Sequence, residues 1–98
     1  MEKIFEEFLG FQWDMGNINK NFLEHNVENW ECEQIFFNRP FFILDDPRHS
    51  VSENRWAAFG KTDSDCLLVI VFTKRNNLIR IISARDMNKK EREFYEQK

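Results

Sequence analysis

The chain has 98 residues, 42% of them apolar, with eleven phenylalanines and three tryptophans. That is material for one core of moderate size (a single domain, 1–98); it argues against disorder and against two domains, each of which would be too small to stand alone. The net charge of −3 is unevenly divided: residues 1–53 carry four Lys/Arg against eleven Asp/Glu, net −7, whereas residues 54–98 carry ten against six, net +4, so a locally basic surface is expected where the second half folds.

Residues 1–10 place Ile4, Phe5, Phe8 and Leu9 on one helical face with Glu2, Glu6 and Glu7 opposite, and Gly10 ends the pattern. This reads as an added helix or an arm. Phe11-Gln12-Trp13 alternates like a short strand, and Asp14 is placed as the N-cap of the next element. Ile18, Phe22 and His25 share a face of a first helix, which Asn26 stops by taking a left-handed turn. A second helix is expected over 28–37, with Trp30 and some of Ile35, Phe36 and Phe37 facing inward, until Arg39-Pro40 breaks it.

From there the period changes from 3.6 to 2. Residues 41–44 form a short apolar strand ended by Asp45-Asp46-Pro47, and 48–54 is polar loop. Three strands come next, over 55–61, 67–73 and 78–85, joined by tight hairpins, the second with Asn76-Asn77 for positive φ. Asn88 caps a last helix to about Glu96, with Glu91 three residues on. The run 67–72 has no polar face and belongs in mid-sheet; it is also too short to span a bilayer. Arg80 and Arg85 are an odd number of residues apart, so only a bulge or bend near Ser83-Ala84 brings them to one face. Cys32 and Cys66, isolated from each other and from any histidine at ligand spacing, read as small apolar core residues in a reducing compartment. The N-terminus lacks the order of a signal peptide, and cytoplasm is the expected location. The fold class is α+β: a small antiparallel sheet, a three-strand meander plus short strands, with two N-terminal helices and a C-terminal helix.

The succession Phe11-Gln12-Trp13-Asp14, Asn21 with His25-Asn26-Val27, Asp45 to Ser50, Arg55-Trp56-Ala57-Ala58-Phe59-Gly60-Lys61-Thr62, Ile79-Arg80-Ile81-Ile82-Ser83-Ala84-Arg85 and Glu91-Arg92-Glu93-Phe94-Tyr95 resembles the BrnT family of toxins of bacterial type II toxin–antitoxin pairs, over about residues 11–96. The resemblance implies a fold related to RelE and ParE toxins. It also implies ribonuclease activity that halts translation and a BrnA-like ribbon-helix-helix antitoxin as partner in a hetero-oligomer, with operator DNA bound only through that antitoxin. Glu24 stands where the family commonly has a basic residue, and Asn26 where it has glycine.

RNA cleavage by the 2′-hydroxyl needs a held phosphate, neutralised oxygens and two proton transfers; no metal, cofactor or membrane enters this reading. Arginine suits the neutralising role, because its rigid fork donates two hydrogen bonds to phosphate and it stays protonated. Arg80, Arg85 and Lys61 are therefore the phosphate-holding candidates, with Arg55 and Arg92 as secondary RNA contacts. His49 has the pKa class for acid–base work, or is a turn histidine bonding its own backbone. Glu53 is a base or the ion-pair partner of Arg55. Tyr95 stacks on a base or packs down with Phe94. Arg80 with an acidic residue of the first helices, and Arg85 with Asp86 or Glu91, are the competing ion-pair readings. Two other functions stay open: a ParE-like protein-binding effector that inhibits gyrase, and an inactive relative kept as a binding partner.

Overall fold

The computed structural model describes residues 10–46 and 53–97. Within them the chain runs β1 (Gly10–Gln12), α1 (Lys20–His25), α2 (Asn29–Gln34), β2 (Phe42–Asp45), β3 (Trp56–Lys61), β4 (Leu67–Arg75), β5 (Leu78–Asp86) and α3 (Lys89–Glu96). The helix or arm read over the first residues lies outside the described part up to Gly10, which opens β1 instead of ending a helix.

One sheet holds all five strands in the order β1-β5-β4-β3-β2. The meander β3-β4-β5 is antiparallel, as the hairpin chemistry requires, and Asn76 and Asn77 adopt φ of 52° and 64° in its second turn. The sheet is nevertheless mixed, because β1 pairs with β5 in parallel register (Phe11 opposite Ile79). It joins β5 across the sheet's edge, not through a hairpin, so no turn imposes the antiparallel sense.

β4 lies at the centre, and Leu68, Ile70 and Phe72 enter the main core with Cys32, Ile35, Phe36, Ala58, Ile79, Ile81 and Ala84. Helix α2 packs on this face through Cys32, and α1 lies against β5. On the opposite face Tyr95 of α3, with Met87 just before that helix, packs onto Phe59 and Val69. Helix α3 starts as its capping box demands: Glu91 N donates to Asn88 Oδ1 at 2.9 Å, and Asn88 N donates to Glu91 Oε1 at 2.8 Å.

The first helices depart from the amphipathic reading. Asp14 does not cap a helix directly: its Oδ1 accepts from Gly16 N at 2.8 Å in a turn, and α1 begins only at Lys20. Ile18 and Phe22 are exposed, as are His25 and Trp30, whereas Asn17 and Asn21 are buried. The reason is the sheet edge. Strand β1 covers β5 only from Leu78 to Arg80, so the backbone of β5 beyond that point needs other partners. Asn17 Nδ2 donates to Ile81 O at 3.0 Å, Lys20 Nζ donates to Ile82 O at 2.9 Å, and Ala84 N donates to Asn21 Oδ1 at 2.9 Å. The polar stripe of α1 and its preceding turn thus stands in for a strand. Asn26 ends α1 at φ 58°, as expected of a left-handed stop. Helix α2 is shorter than the period suggests; Cys32, Ile35 and Phe36 turn inward while Trp30 and Phe37 face out. Cys66 is exposed, not a core residue, because it sits at the end of the turn in which Thr62 N donates to Cys66 O.

Candidate nucleic-acid interface

The cations of the sheet are brought together by a single irregularity in β5. Ser83 pairs with Val71 and Ile81 with Phe72, so Ile82 is an extra residue bulged out of the ladder. Arg85 then stands opposite Val69 and Arg80 opposite Thr73. Those two β4 positions are four apart and share a face. Lys61 pairs with Leu67 and lies on that face too, and Arg55 joins it through the alternation of β3. An unbroken strand would have put Arg80 and Arg85 on opposite faces; the irregularity needed near Ser83-Ala84 to bring them to one face is present at Ile82.

The three principal candidates are spread along the face. Lys61 and Arg80 are set at β4 levels six residues apart, on the order of 20 Å at a strand rise of about 3.3 Å per residue. One phosphate cannot touch both. Each is also engaged by a carboxylate. Arg80 makes a fork on Asp14, with Nη1 to Oδ2 at 2.7 Å and Nη2 to Oδ1 at 3.0 Å, and its side chain is only 11% exposed. Arg85 makes the equivalent fork on Glu91 at 2.7 and 2.8 Å and also donates to Asp86 O at 3.1 Å. Lys61 Nζ is 3.6 Å from the exposed Asp65 carboxylate.

These contacts set the charge states. The hydrogen bond from Arg80, then the one from Gly16 N, holds Asp14 below the usual carboxylate range. The Arg85 fork does the same for Glu91, and the Arg85 pKa is raised in return. Glu53 is lowered chiefly by Arg75, whose Nε and Nη2 donate to it at 3.0 and 2.7 Å. Arg55 reaches the same carboxylate only at 3.9 Å. A carboxylate held ionised in this way is a hydrogen-bond acceptor and a weak base.

Two further candidates change character. Tyr95 is buried, its hydroxyl donates to Pro40 O at 2.6 Å and its ring meets Phe42 edge-on, so it is not presented to a nucleobase. Arg92, on the exposed side of α3, donates to Met87 O at 2.8 Å. His49 lies outside the described residues.

Between the levels of Arg85 and Arg80 the face is open, because α3 covers only the end near Phe59 and Val69. A recess of about 260 Å³ lies there, lined by Lys20, Arg55, Val71, Ile82 and Ser83. Ala57 and Ser83, the small residues flanking Val71 on the neighbouring strands, leave the space. Lys20 was not among the sequence candidates; its only signal was a cation in the acidic first half. Among the described residues, no three His, Cys, Asp or Glu side chains come together as a metal-holding group, and no helix is long and apolar enough to cross a membrane.

The family described as ribonuclease toxin, BrnT, of type II toxin-antitoxin system matches residues 13–91. No curated protein matches the chain.

Proposed function

Because the chain belongs to the BrnT family of ribonuclease toxins of type II toxin–antitoxin systems, we propose that it is a RelE-like endoribonuclease. In this reading it cleaves RNA without a metal to inhibit translation and is silenced by a BrnA-like ribbon-helix-helix antitoxin in the cytoplasm. The supporting observation is the bulge at Ile82, which turns Arg80 and Arg85 to the face that carries Arg55 and Lys61. A single RNA strand laid along this face meets successive cations, each suited to one backbone phosphate. The attacking group is the ribose 2′-hydroxyl. The arginines neutralise charge that grows on the phosphate oxygens.

In this mechanism Asp14 and Glu91 orient the forks of Arg80 and Arg85 in the free protein, and the phosphate competes with them. A bidentate phosphate replaces a bidentate carboxylate with similar geometry, so the exchange conserves most of the hydrogen bonding. Glu53 has its charge held by Arg75 and Arg55, which suits it to positioning those cations. The BrnT family pairs with cognate antitoxins; the exposed Ile18, Phe22, Leu23 and Trp30 offer apolar surface to such a partner.

Purified chain incubated with RNA in EDTA tests the reading. Cleavage should persist, and Arg85→Ala should lose roughly 10²–10³-fold in rate, the scale of one lost charge-stabilising donor. Cleavage that disappears with chelator yet survives Arg85→Ala overturns it. The closed forks of Arg80 and Arg85 favour one alternative, a ParE-like effector that binds protein and cuts nothing. In that case induction arrests thymidine incorporation before methionine incorporation.

A further inference from the structure

We propose that the recess formed by Lys20, Arg55 and Ser83 is the central phosphate subsite for RNA, and that Lys20 is its principal contact. This rests on the ribonuclease reading and locates the substrate within it. Arg80 and Arg85 each commit both terminal nitrogens to a carboxylate at 3.0 Å or less. Lys20 Nζ donates to one acceptor, the carbonyl of the bulged Ile82, and among the described residues it has no carboxylate partner. An ammonium has three donors, so two remain for a ligand. The bond to Ile82 O fixes the end of a long side chain, which removes much of the entropy cost of binding.

The surroundings fit the same anion. Arg55 lines the recess as well and adds a second positive charge to it. Ser83 adds a hydroxyl. Val71 and Ile82 supply apolar walls, which lower the local dielectric and strengthen a charge–charge contact. At about 260 Å³ the recess exceeds by several-fold the roughly 30 Å³ taken up by a water molecule, which leaves room for a phosphate and part of its sugar. It is also set midway between the levels of Arg85 and Arg80 on β4. An RNA backbone spanning those two arginines must pass over it.

The test uses the whole chain and a fully 2′-O-methylated RNA, which cannot attack its own backbone, so binding is read apart from cleavage. Lys20→Gln should weaken binding about tenfold and reduce the salt slope by about 0.7, the value for one lost phosphate contact on a single strand. Lys20→Arg should restore both, and Lys89→Gln, on the exposed face of α3, should leave both unchanged. Ser83→Ala, with Lys20 intact, should weaken binding several-fold and gives a second measurement if Lys20→Gln does not fold. If wild type binds and cuts RNA while Lys20→Gln and Ser83→Ala bind it equally well, the subsite is overturned and the ribonuclease reading stands. If wild type neither binds nor cuts RNA, both fall.

Discussion

Replacing Asn17 with alanine should destabilise this protein far more than removing the exposed aromatic of the neighbouring helix. Asn17 is 3% exposed. Its Oδ1 accepts from Asp14 N at 2.8 Å, and its Nδ2 donates to Gln12 O at 3.1 Å and to Ile81 O at 3.0 Å. Alanine removes all three bonds and leaves the Ile81 carbonyl unpaired in a buried setting. One orphaned buried group costs about 1–3 kcal/mol, and the two partly exposed ones recover some of their loss from water. The total is roughly 2–3 kcal/mol, which for a domain under 100 residues lowers Tm by roughly 8–24 °C. Phe22, by contrast, is 46% exposed, and Phe22→Ala should cost under about 1 kcal/mol. Urea titration and calorimetry on both variants read the difference. A Phe22→Ala loss exceeding that of Asn17→Ala would mean that α1 docks by its apolar side, and the account of the β5 edge would be wrong.

Other substitutions probe separate parts of the fold. Glu91→Gln keeps the capping acceptor and loses the charge facing Arg85. The folded pKa of Glu91 is lowered below 4.5, so its contribution is whole above pH 4.5 and vanishes as pH falls through the folded value. The variant should therefore show a shallower acid limb in pH-dependent unfolding, with a neutral-pH loss of no more than about 1 kcal/mol. Gly60→Ala would put a Cβ 3.0 Å from Ile35 Cβ and 3.1 Å from its carbonyl oxygen. The backbone atom cannot swing away, so overpacking of about 1–3 kcal/mol is expected, seen as a lower urea midpoint. Tyr95→Phe loses the 2.6 Å hydrogen bond to Pro40 O and should cost about 1 kcal/mol. RNA affinity should not change; a clear drop would restore a stacking role for Tyr95.

The residues that read correctly in sequence are those whose signal is local. Strands β3, β4 and β5 follow from apolar runs and alternation, the Asn76-Asn77 turn from residues that tolerate positive φ, and the start of α3 from Asn88 and Glu91 three residues apart. The end of α1 at Asn26 belongs with them. Each involves neighbours within a turn or two, where backbone sterics and short-range hydrogen bonds decide the outcome.

The choice of face and of partner required the folded molecule. Ile18 and Phe22 fit an inward stripe as well as Asn17 and Asn21 do; the uncovered backbone of β5, some 60 residues further along, selected the asparagines. The match between Arg80 and Asp14 spans 66 positions, and the bulge that aligns Arg80 with Arg85 depends on how β4 and β5 register. The distribution of charge and the apolar alternation along the chain determined that the second half would be basic and sheet-rich. Where that charge points, which carboxylates hold it and which lysine stays available are consequences of long-range pairing, because hydrogen-bond satisfaction at a sheet edge is a property of the whole sheet.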